Sequence, residues 1–111
     1  MYRDEYERCP RCQTELVDAG SARGCTACEG MWVTEAVLRE MAVEMKVPPA
    51  PVALEFEPES RKPIACPSCA AAMQAVRLNR VAIDRCDGHG VWFDRGELAA
   101  VLLAYAPPLG Q

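Results

Sequence analysis

With 111 residues, 50% of them hydrophobic and 25% charged, the chain has the composition of one ordinary globular domain or of two very small ones. Its formal net charge of −4 argues against a surface built to neutralise phosphates. Residues 1–60 carry twelve acidic and six basic side chains and residues 61–111 carry four and six, so a phosphate-facing surface has room only in the second half.

The first element with chemistry is Cys9-Pro10-Arg11-Cys12, a C-x-x-C turn that brings two sulfurs to one point without closing a small strained ring. Thr14 to Gly24, with Ala19-Gly20-Ser21 in its middle, predicts a short, loose β-hairpin. Cys25-Thr26-Ala27-Cys28 then completes two C-x-x-C pairs separated by twelve residues, the spacing of a closed tetrathiolate site. Trp32 follows, and a large ring there is expected to shield the metal knuckle and anchor the next helix to the ribbon. Thr34 is the expected N-cap of that helix. Val37, Leu38, Met41 and Met45 form its apolar face, Lys46 suits the negative end of its dipole, and Pro48-Pro49 stop it. The apolar face is expected to pack on its own ribbon or on the second helix.

Residues 47–63 hold prolines 48, 49, 51, 58 and 63 and read as a stiff, extended connector. Within it Val52 to Glu57 alternates, which leaves open whether that stretch pairs as an edge strand.

A second copy of the plan begins at Cys66-Pro67-Ser68-Cys69. Val76 to Ile83 predicts two strands around an Asn79-Arg80 turn. Cys86-Asp87-Gly88-His89 supplies the last two donors, with His89 standing after Cys86 as Cys28 stands after Cys25. The register then differs: Trp92 follows His89 by three residues, whereas Trp32 follows Cys28 by four, a difference the longer imidazole reach can absorb. Asp87 is the nearest substitute ligand. Without His89, three thiolates and an open position would make a catalytic site thinkable. Asp94 and Glu97 predict a capping box for a helix with Leu98, Val101, Leu102 and Tyr105 on one face, ended by Pro107-Pro108.

Seven cysteines and one histidine thus divide into two sets of four with nothing left over, whereas disulfides would strand one thiol. The expected fold is a small metal-stabilised α+β chain: tandem zinc ribbons, each a β-hairpin with two metal knuckles followed by a short α-helix. Residues 1–46 form the first ribbon and helix, 47–63 the linker, 64–106 the second ribbon and helix, and 107–111 a tail. Cys9, Cys12, Cys25 and Cys28 hold one zinc ion; Cys66, Cys69, Cys86 and His89 hold another. Iron at the four-cysteine site stays open as an alternative. Two loaded sites bring the net charge to −7, from seven thiolates and two divalent ions.

The run Cys86-Asp87-Gly88-His89-Gly90-Val91-Trp92-Phe93-Asp94-Arg95-Gly96-Glu97-Leu98, together with the Cys66-Pro67-Ser68-Cys69 opening, resembles the bacterial transcription factor IIB-type zinc-ribbon family. Cys9-Pro10-Arg11-Cys12 resembles the same opening, while Val33-Thr34-Glu35-Ala36-Val37 departs from the family's aromatic-Asp-x-Gly-Glu run. The resemblance implies zinc and a ribbon fold, and no particular activity.

These features predict a non-enzymatic zinc-binding adaptor whose partner is another protein, with no catalytic residue, no small-molecule substrate and no membrane. The alternative is nucleic-acid or transcription-complex binding through the second ribbon, with Arg77, Arg80 and Arg85 as its surface. Thiol use, a charged opening (Met1 to Tyr6) unlike a secretory leader, and a longest apolar run of only Leu98 to Ala106 predict a reduced cytoplasmic protein. Partner identity, oligomeric state and whether the two ribbons pack together stay open at this level.

Overall fold

A computed structural model describes residues 7–108; the charged opening read for a leader, Met1 to Tyr6, and the end of the tail lie outside the described residues. In the first copy, β1 (Val17–Ala19) and β2 (Ala22–Gly24) form a hairpin over a Gly20 turn, and β3 (Met31–Val33) pairs with β2. In the second, β5 (Gln74–Leu78) and β6 (Val81–Cys86) pair from Gln74↔Arg85 to Leu78↔Val81, and β7 (Gly90–Phe93) pairs with β6. Asn79 and Arg80 both adopt left-handed backbone, φ 53° and 71°, as a tight two-residue hairpin turn requires. Asn79 also donates through Nδ2 to the Val101 carbonyl at 3.0 Å, which ties the turn to the second helix.

The copies are not beads on a string. β3 and β7 pair antiparallel with Met31 opposite Phe93, Trp32 opposite Trp92 and Val33 opposite Val91, so corresponding strands meet about an approximate two-fold axis. One seven-stranded sheet results, in the order β1-β2-β3-β7-β6-β5-β4. Strand alternation then sorts the side chains. Val33, Val91 and Phe93 face a core with Leu38, Val76, Leu78, Ile83 and Val101, while Trp32 and Trp92 face Cys9, Cys25, Cys66, Leu16 and Met73. Helices cover one side of the sheet and the cysteine clusters cover the other.

Each tryptophan reaches across the seam. A Cβ added at Gly30 would clash with the edge of the Trp92 ring, and one at Gly90 would sit 3.3 Å from Trp32 Cζ2 and 2.7 Å from the Val33 carbonyl oxygen. Each ring thus lies against the glycine that follows the other copy's last ligand position, while both also pack on the cysteine clusters, as the shielding role read for Trp32 requires. Only a residue without a side chain permits that approach.

Helix α1 (Glu35–Met45) starts at Thr34, whose hydroxyl accepts from the Val37 N–H at 3.2 Å. Helix α2 (Glu97–Leu103) departs from the predicted cap. Its N-cap is Gly96, with φ 82°, and the Asp94 carboxylate makes no bond to the helix start. Half of the capping box survives, because Glu97 accepts from the Asp94 N–H at 2.9 Å. The Asp94 side chain instead accepts from Trp92 Nε1 and from Arg11, stronger partners than a backbone amide at a short helix.

Most of the alternating stretch in the connector does not pair. Only β4 (Glu57–Pro58) joins the sheet, opposite Arg77 and Val76, while Leu54 and Phe56 pack on the core. Arg61 pins the connector down: it donates to the Ile83 carbonyl at 2.6 Å and lies 3.4 Å from Asp84 Oδ1. Asp84 is 1% exposed, and burial raises its pKa, so these contacts and Arg11 Nη2 at 4.0 Å offset the cost of its charge. The linker is part of the second ribbon's structure.

Gly30→Ala is expected to lower the stability of the metal-loaded protein by about 1–3 kcal/mol through overpacking against Trp92, seen as a reduced melting temperature. Arg61→Ala, which leaves the buried Asp84 short of its nearest cation, should cost about 2 kcal/mol in the same measurement.

Candidate metal centres

Four knuckles carry the eight donors, and three are built alike. In Cys9–Gln13, Cys25–Glu29 and Cys66–Ala70 the N–H of the fifth residue donates to the first cysteine's carbonyl at 2.8–2.9 Å. That fifth residue is left-handed each time, with φ 68°, 64° and 68°. The turn also aims a backbone N–H at the first sulfur: Arg11, Cys28 and Ser68 donate to Cys9, Cys25 and Cys66 at 3.2–3.3 Å. Such bonds favour thiolate over thiol.

The fourth knuckle is one residue tighter. Gly88, with φ 88°, takes the left-handed position before the final donor rather than after it, and the His89 N–H closes onto the Cys86 carbonyl at 3.0 Å. This explains the register difference in the sequence. An imidazole reaches farther than a thiol, so its knuckle can close earlier and Trp92 still meets Trp32 in the seam.

The donor atoms of Cys9, Cys12, Cys25 and Cys28 all lie within 4.8 Å of one another, and so do those of Cys66, Cys69, Cys86 and His89. A tetrahedral zinc ion with Zn–S about 2.3 Å and Zn–N about 2.0 Å sets sulfurs about 3.8 Å apart and sulfur and nitrogen about 3.5 Å apart. The spacings agree: Cys12–Cys25 is 3.6 Å, Cys69–Cys86 is 3.8 Å, and His89 Nδ1 lies 3.3 Å from Cys86 and 3.9 Å from Cys66. Both clusters can hold zinc. Asp87, the substitute ligand considered from sequence, turns instead to Arg85 at 3.3 Å.

Proton affinities within the clusters show why a cation belongs there. Thr14 pulls Cys12 down to about 6, while the hydrogen bond that the Cys28 thiol donates to the Cys12 sulfur pushes Cys28 up to about 12. Burial, then contact with Cys66, pushes Cys86 up to about 12. Four sulfurs in one cluster and three in the other, this close, cannot all ionise unless a positive charge sits among them. Within each cluster one side is dry and one wet: Cys9, Cys25 and Cys66 are buried, whereas Cys12, Cys69 and His89 are exposed.

An outer layer, not foreseen from sequence, joins the clusters across the seam. Trp92 Nε1 donates to Asp94 at 3.0 Å, and Arg11 of the first knuckle grips the same carboxylate through two bonds of 3.1 and 2.8 Å. Although burial opposes it, these partners hold Asp94 below the usual carboxylate range. Reciprocally, Trp32 Nε1 donates to Glu7 at 3.3 Å, and Ser68 Oγ of the third knuckle donates to that carboxylate at 2.6 Å. The variable position of each C-P-x-C turn thus reaches the carboxylate that holds the opposite copy's tryptophan. A glycine shortly after the last donor in both copies was the signal available in the sequence.

The three arginines proposed as a phosphate surface are differently placed. Arg77 lies 3.4 Å from Glu59, and Arg85 lies 2.7 Å from Glu35 and over the Phe56 ring at 4.8 Å. Arg80 is exposed in the hairpin turn.

Residues 65–104 match the family model described as transcription factor zinc-finger, the transcription factor IIB-type zinc ribbon. The match falls on the second copy, and the first, with its own four-cysteine cluster, is consistent with a tandem copy. No curated protein and no solved structure gives a significant match to the chain.

His89→Ala leaves three thiolates for the second ion. It is expected to weaken zinc retention there by at least about tenfold in chelator competition while the first site is little changed, and unaltered retention at both sites would remove His89 from the donor set.

Proposed function

We propose that the chain is a non-enzymatic adaptor in which two zinc ions, one on four cysteines and one on three cysteines and His89, hold a rigid surface for another protein. The observation that carries this reading is that each cluster gathers four protein donors around one point. An ion so enclosed has no vacant position for water or substrate, so it supplies shape rather than Lewis acidity. Glu97 and Asp94 are committed to backbone, indole and guanidinium partners. None of the helices among the described residues is long and apolar enough to cross a membrane. A reduced, cytoplasmic setting suits seven thiolates.

A second reading has one specific observation in its favour, the transcription factor zinc-finger family of residues 65–104. It would place nucleic acid against the second ribbon. The acidic charge and the pairing of Arg77 and Arg85 with carboxylates weigh against it.

Native mass spectrometry of protein purified from its own host is expected to find two zinc ions and a co-purifying protein. Short DNA and RNA, titrated at two salt concentrations, should bind only weakly. Tight, steeply salt-dependent binding that disappears when Arg77 and Arg80 are reversed in charge would establish the second reading instead. Arg85 is left intact in that test because its contact with Glu35 joins the two copies.

A further inference from the structure

We propose that the two metal sites load cooperatively, each ion ordering the contacts that complete the other ribbon. The inference rests on the two-zinc reading above and goes beyond it, since two closed sites in one chain can also fill independently.

The geometry points to coupling because the bridges between copies spring from the metal knuckles themselves. Arg11 lies between Cys9 and Cys12 and clasps Asp94, which holds Trp92. Ser68 lies between Cys66 and Cys69 and clasps Glu7, which holds Trp32. Arg85 directly precedes Cys86 and meets Glu35 at 2.7 Å, and Glu29 directly follows Cys28 and meets Arg95 at 3.1 Å. Each of these four polar contacts between the halves has an end within a knuckle or beside a ligand.

The tryptophans add a packing link in the same sense. Trp92 lies on Gly30, just beyond the first cluster, and Trp32 lies on Gly90, just beyond the second. Both rings share one apolar cluster with Cys9, Cys25, Cys66 and the partly buried Cys28 and Cys86. A knuckle without its ion has no fixed shape from which Arg11 or Ser68 can reach across, because metal binding and local folding are one event in such turns. The first ion therefore bears the ordering cost of the seam, and the second finds it already formed. By reciprocity the effect is the same whichever site fills first.

Zinc is added stepwise to the reduced, metal-free full chain in a competing chelator, and native mass spectrometry counts molecules with none, one and two ions. The wild type is compared with the double variant Arg11→Ala/Ser68→Ala. At half saturation the singly loaded fraction should be lower in the wild type, corresponding to a second-ion affinity raised on the order of tenfold relative to the variant. Equal fractions in the two proteins overturn the coupling. Asp94→Asn keeps an acceptor for Trp92 and removes only the charge facing Arg11. It should give an intermediate distribution, and it decides the matter if the double variant fails to hold two ions. A wild type that saturates below two ions refutes the two-zinc reading itself, whereas two ions with an unchanged distribution refutes only the coupling.

Discussion

The pairing of β3 with β7 is the constraint on which the rest of the molecule depends. Each strand is only three or four residues long, too short to hold a sheet together through hydrogen bonds alone. Their pairing merges two small hairpins into one surface, and that surface separates a helix-covered apolar core from the two cysteine clusters. Neither half on its own has enough apolar area for a stable interior, so the metal knuckles and the shared sheet have to act together. The crossed tryptophans and the glycines beneath them make that joint close-packed rather than merely adjacent.

Much of this was legible in the sequence, for identifiable reasons. Donor spacing is a covalent-scale constraint, so eight residues named from their intervals come together as two sets of four. The Asn79-Arg80 turn and the Thr34 cap were equally readable, because each depends on a few neighbouring residues. The misreadings concern residues whose partners are remote in the chain. Asp94 has the local look of a helix cap, yet Arg11, 83 positions away, outcompetes the backbone for its carboxylate. Arg61 looks like one more charge in a proline-rich linker and proves to be the counter-ion of a buried aspartate. The tryptophans do pack on the cysteine clusters, but that they also cross to the other copy was signalled only by the glycine after each last donor.

The asymmetry between the copies is informative for the same reason. Three knuckles share one turn and the fourth is shortened by a residue, with the histidine's length making up the difference. The bridging residues have diverged as well, a guanidinium on one side of the axis and a hydroxyl on the other. What the two halves keep in common is geometry: a donor at the knuckle's variable position, a carboxylate in the middle, and an indole N–H beyond it.

The edges of the sheet carry a last implication. Joining at β3 and β7 uses up the strand margins that face inward, and what remains outside is β1, three residues long, and β4, two residues long and ending in Pro58. A proline offers no amide hydrogen, and so brief a margin gives an incoming strand little to zip onto. Lateral growth of the sheet therefore finds little purchase on either flank.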